Sequence, residues 1–163
     1  MSEAAELYER DFYAWTQAQA AALRAWPEGL RPNTLDIAHI AEEIEDLGAS
    51  QRSAVANLLR QILLHLLKLR VLPDPHPRSH WRREVNEFRT QLEQIFDTSP
   101  SLRSRRAELA APVWRRAARQ LARDLADEGQ DQAATLVKRL EGDTPYFDLD
   151  REVLDPDWFP PAL

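Results

Sequence analysis

The sequence predicts an all-α fold: an up-and-down helical bundle of four main helices, with further short helices and an irregular C-terminal strap. Three observations carry this. Apolar residues recur at helical spacing through most of the 163 residues. Ten of the eleven prolines lie between those helical segments or in the tail, as suits a residue that removes a helix hydrogen bond and clashes with the turn before it. No stretch alternates as a half-buried strand does. A single domain over 1–163 is expected, with the bundle over 1–143 and the strap over 144–163, because a chain of this length commonly folds around one core.

The first helix is expected over residues 4–26, where Leu7, Phe12, Trp15, Ala22 and Trp26 fall near one stripe. Pro27, Glu28 and Gly29 stop it. Asn33 is the expected N-cap of the next helix, with Asp36 at its third position. That helix carries the stretch IAEEIEDLG, residues 40–48. Gly48 either ends it or sits within one long helix.

Over residues 51–72, Val55, Leu58, Leu59, Ile62, Leu63, Leu66, Leu67 and Leu69 cover most of the helix circumference. Such a helix is surrounded by others, so this is the central element. Residues 73–77 hold three prolines and form a stiff connection. A helix then starts near Ser79 and carries Trp81, Val85, Phe88, Leu92, Ile95 and Phe96.

Ser99 as cap and Pro100 at the first helical position open another helix, expected to run to residue 128. Pro112 kinks it or divides it, and Gly129 is its C-cap. A short helix follows over 131–140. The tail mixes Tyr146, Phe147, Leu149, Val153, Leu154, Trp158 and Phe159 with acids and prolines, a composition too aromatic for a disordered segment.

Charge is segregated. Residues 1–50 hold ten acids and three bases, 51–123 six acids and fifteen bases, and 124–163 eleven acids and three bases. A basic middle can mark a nucleic-acid surface; acidic ends can equally fold back and neutralise it. The basic candidates are Arg78, Arg82, Arg83, Arg89, Arg115, Arg116, Arg119 and Arg123, with Arg103, Arg105 and Arg106 beside them. Trp81 and Trp114 are interleaved, but at helical spacing aromatics are more often core than base-stacking platforms. No zinc finger, RNP motif, phosphate-binding glycine loop or G-x-S-x-G elbow is present.

The absence of cysteine excludes disulfides, thiolate metal sites and cysteine nucleophiles. The first ten residues carry acids where a secretory signal would be basic and then apolar. The most apolar stretch, 58–72, is too short and too charged to span a bilayer. A soluble cytoplasmic protein without membrane association is expected.

Five stretches, taken in order, resemble one family: LYERDFYAWTQAQAAALR, IAEEIEDLGASQR, LLRQILLHLLKLR, HWRREVNEFRTQL and PYFDLDREVLDPDWFP. Together they resemble DUF29, a bacterial domain of unknown function. The resemblance spans nearly the whole chain and implies a compact helical domain; it implies no reaction, ligand or cofactor. The family's pattern carries asparagine where this chain has His39.

Within IAEEIEDLG, helical geometry puts His39, Glu42, Glu43 and Asp46 in one sector and Ile37, Ile40, Ile44 and Leu47 in the next, with Glu45 away from both. Three readings follow. His39 and Glu43, with His65 from the leucine-rich helix, are the metal-ligand candidates; against them stands the lack of a second E-x-x-H or H-x-x-x-E pair. Crowded carboxylates can also raise one another's pKa and serve acid/base catalysis. The leading reading is structural: Glu42, Glu43 and Asp46 pair with arginines and set helix register. His65 by itself reads as a core or boundary histidine bonded to a neighbouring helix. With no complete catalytic set and no cofactor expected, the favoured function is a non-enzymatic module binding a protein partner or itself. A metal-dependent or carboxylate-based enzyme, and nucleic-acid binding through the Arg-rich helices, are the alternatives.

Overall fold

A computed structural model describes residues 2–163. The described residues are 76% helical and contain no strand, so the all-α class holds. The helices are α1 (Glu3–Arg10), α2 (Phe12–Ala25), α3 (Ile37–Val71), α4 (Arg78–Thr98), α5 (Pro100–Ser104), α6 (Arg106–Asp127) and α7 (Asp131–Leu140). A 3₁₀ turn spans Glu28–Leu30 and a π turn Leu149–Val153. None of the helices is long and apolar enough to cross a membrane.

The chain forms two compact units. The first runs up to Ala54 and includes Gln94–Arg105; the second comprises Val55–Glu93 and Arg106–Leu163. Helices α3 and α4 contribute to both.

In the first unit the expected helix over 4–26 is two helices. Asp11 leaves the helical region at φ −156°, ψ 92° and becomes the N-cap of α2, accepting from Ala14 N–H at 2.9 Å. The same carboxylate accepts from the backbone N–H and hydroxyl of Ser101 at the start of α5, at 2.7 and 2.9 Å. Ser99, the N-cap residue of α5, makes no side-chain bond within its own helix. Its hydroxyl accepts from Tyr13 N–H in α2 at 3.1 Å and donates to Gln51 Oε1 in α3 at 2.7 Å. The orphan donors of two helix starts are thus satisfied crosswise.

Helix α3 starts four residues after Asn33, the expected cap. Asp36 takes that place and accepts from His39 N–H at 3.2 Å. The helix then continues unbroken through Gly48. A Cβ at Gly48 would overlap Thr16 Oγ1 and lie 2.9 Å from Gln17 Nε2, so this glycine lets α2 lie against α3.

In the second unit, residues 62–64, 66, 67 and 69 of α3 are buried on all sides, as expected of a central element. Trp114, Leu121, Leu125 and Val137 pack in the same unit's core. The break after α5 falls at Arg105, while Pro112 lies inside the continuous α6. Gly129 does end α6: with φ 76° it donates to Ala126 O at 3.0 Å, and Gln130 N–H donates to Leu125 O at 2.7 Å. That is the Schellman pattern, in which a left-handed glycine lets the last carbonyls be satisfied. Helix α7 has the predicted bounds.

Candidate functional site

The acidic stretch on α3 is arranged differently from the expectation. Helix packing buries Ile37, Ala41 and Gly48, so at about 100° per residue the buried face is centred about 60° from the isoleucine–leucine stripe. Ile40 and Leu47 are consequently exposed, at 36% and 52%. Glu42, Glu43 and Asp46 are exposed too and make no ion pair among the described residues. Glu45, the carboxylate expected to stand apart, is the paired one: it meets Arg24 of α2. The register reading thus fails for the three residues that carried it.

His39 is exposed and bonds its own helix start, with Nδ1 2.6 Å from Asp36 Oδ2. The Asp36 carboxylate raises the His39 pKa above the ordinary value, with smaller contributions from Glu42 and Glu43. The same hydrogen bond lowers that of Asp36.

His65 has other partners, all in the second unit. Its Nε2 lies 2.9 Å from Glu84 Oε2 in α4, and Nδ1 lies 2.7 Å from Gln61 O. His80 Nε2 reaches the other oxygen of Glu84 at 3.3 Å. His80 and Glu84 are an H-x-x-x-E pair, so the sequence does contain the second motif of that spacing. The carboxylate bridges two histidines. Among the described residues no group of three or more His, Asp or Glu side chains is placed to hold a metal ion.

The basic candidates divide by environment. Arg89 belongs to the interior: only 6% exposed, it donates to Val153 O at 2.9 Å, Glu152 O at 2.8 Å, Trp158 O at 3.1 Å and Asn86 Oδ1 at 3.1 Å. Burial pushes its pKa down to about 10, opposed by the Asp155 and Asp157 charges. Arg82 and Arg89 also lie over the Phe159 ring, 4.3 and 5.0 Å from its centroid. Arg78 donates to Leu69 O and Leu72 O at the end of α3. On α6, Arg106 meets Asp150 at 2.7 Å, Arg119 meets Glu141 at 2.5 Å and Arg115 pairs with Asp143. Acids of the C-terminal third therefore fold onto α6 arginines. Arg83, Arg116 and Arg123 remain on the exposed surface.

Of the two tryptophans, Trp114 is core at 1% exposure. Trp81 is half-buried and lines a cleft with Lys68, Asp74, Asp124 and Glu128. Sequence reading missed that cleft, because its residues come from two stretches far apart in the chain, 68–81 and 121–130.

The family model for "Domain of unknown function DUF29" matches residues 7–159. The chain belongs to the DUF29 family. The crystal structure of an alpha-helical protein of unknown function from Rhodospirillum rubrum ATCC 11170 is 31% identical, with a TM-score of 0.70 over 93% of this chain and 90% of that one. No curated protein matches the chain. The match to DUF29 takes in the acidic stretch of α3, the cross-capped helix starts, and the tail held by Arg89.

Proposed function

We propose that this DUF29 chain is a non-enzymatic interaction module that docks a protein partner on the exposed side of the first turns of α3. One observation carries the reading. Glu42, Glu43 and Asp46 are exposed and make no ion pair among the described residues, beside Ile40 and Leu47 on the same solvent-facing side. The fold gains little from these five side chains. An apolar stripe flanked by carboxylates complements a basic amphipathic helix, which would lay its own apolar face on Ile40 and Leu47. A second copy would bring like charges together, so a different protein is favoured over self-association.

Nucleic-acid binding through α6 has less support, because Arg106, Arg115 and Arg119 already face carboxylates. A photo-crosslinking residue in place of Leu47, in cells that express the protein, tests the docking reading. One discrete adduct, lost on Glu43→Lys and Asp46→Lys with the thermal melt unchanged, is expected. Failure to form a discrete adduct, or a self-adduct together with a dimer by light scattering, overturns it.

A further inference from the structure

A cleft of about 660 Å³ opens at the carboxyl end of α6. Leu125 contributes to its apolar floor, Trp81 of α4 forms a wall, and Asp74, Asp124 and Glu128 supply carboxylates. We propose that this cleft binds an aliphatic polyammonium ligand, with its carbon chain against the indole and leucine and its ammonium groups on the carboxylates.

The charge at this helix end runs against the helix dipole. The carboxyl end of a helix is the negative end of its dipole, and bases are the stabilising residues there. The last turn of α6 holds Asp124 and Asp127 with no base, and Glu128 follows. Asp124 and Glu128 are four apart, the spacing at which like charges repel. At the end of α3 the usual solution is present, since Arg78 donates to Leu69 O and Leu72 O. At the end of α6 the described residues place only backbone N–H groups, those of Glu128, Gly129 and Gln130, on the terminal carbonyls. A bound cation would relieve both the dipole and the like-charge pair.

The indole face already accepts an ammonium. Lys68 Nζ lies 5.8 Å from the Trp81 ring centroid, within cation–π range. Among the residues that line the cleft, one lysine faces three carboxylates, and that excess of two negative charges calls for a ligand with at least two positive charges. An apolar floor then favours an alkyl spacer over a hydrated metal ion, whose shell gains nothing from leucine and indole.

Alkylammonium groups come from a free polyamine or from the lysine side chains of a peptide. Calorimetry on the full chain with spermidine in one arm, a dilysine peptide in the other, and MgCl₂ as a charge reference separates these. Saturable spermidine binding is expected, at least tenfold weaker in Asp124→Asn/Glu128→Gln and weaker in Trp81→Leu. Tighter binding of the dilysine peptide supports the same site and assigns the source to a peptide. The double variant should also melt at a higher temperature than the parent, a gain that residues placed for stability would not give. No saturable heat from either amine at millimolar concentration, equal affinity for Mg²⁺, or unchanged affinity in the exposed double variant overturns the proposal.

Discussion

Asp11 and Ser99, remote in sequence, each cap the other's helix. The Asp11 carboxylate takes Ala14 N–H of its own α2 and Ser101 N–H of α5, while the Ser99 hydroxyl takes Tyr13 N–H of α2. Asp11→Ala therefore removes acceptors from two helix starts and leaves shielded donors unpaired. A loss of about 2–4 kcal/mol is expected, and about 1–3 kcal/mol for Ser99→Ala, both read from urea unfolding. The double variant should lose less than the sum of the two, because the residues serve one seam.

Arg89 holds three carbonyls of the tail with one planar fork. An ammonium cannot reproduce that geometry, so even Arg89→Lys should destabilise, by about 2–4 kcal/mol as buried carbonyls lose their donors. Limited proteolysis provides the local readout. Cleavage within residues 148–159 should appear in the variant before the helices are cut.

Neutralising the acidic stretch should do little to the fold. Glu42→Gln, Glu43→Gln and Asp46→Asn are each expected to shift stability by less than about 0.5 kcal/mol, as exposed substitutions without intramolecular partners do. Thermal melts check this. A loss of several kcal/mol would restore the register reading and remove the main support for a docking surface.

His39 should titrate above the ordinary histidine value of about 6.5, because Asp36 favours its charged form. Its stabilising contribution is then fully present below about pH 6.5 and is lost as pH rises through the raised value. For Asp36 the shift is downward. Its contribution is present above the ordinary aspartate value, about 3.9, and is lost as pH falls through the lowered one. NMR titration of the His39 ring should show the upward shift, and Asp36→Asn should abolish most of it.

Much of the fold was legible because local signals agreed. Leucines around a full circumference named the central part of α3, Pro100 marked the start of α5, and Gly129 ended α6. The misreadings share a cause: each concerned a residue whose role is set by a distant segment. Asp11 falls inside the helix expected over 4–26, and nothing local marks it as a cap, since its second client, Ser101, lies far along the chain. Ser99 looked like a local cap and serves α2 instead. Arg89 looked like surface until the tail closed over it. At the candidate site, helical geometry placed the carboxylates of α3 on one side, but the buried direction depends on α2, and that decided which of Ile40, Ala41 and Leu47 faces solvent. The His80–Glu84 spacing was present in the sequence and was passed over.

Gly48 offers a direct test of close packing. Replacing a helical glycine by alanine ordinarily gains up to about 1 kcal/mol, yet here the added methyl meets Thr16 Oγ1. A net loss of about 1–2 kcal/mol is expected from overpacking. Thr16→Ala in the same chain should recover part of it, at the expense of the Thr16 hydrogen bond to Tyr13 O. Urea denaturation of the two single variants and the double variant measures the recovery.

Positions 16 and 48 consequently share one allotment of volume, and evolution can spend it on either side. Among relatives, a larger residue at 48 should coincide with a smaller one at 16, so the two columns should drift together although no charge or hydrogen bond joins them. Part of what marks this family in sequence would then be the inheritance of a fitted shape.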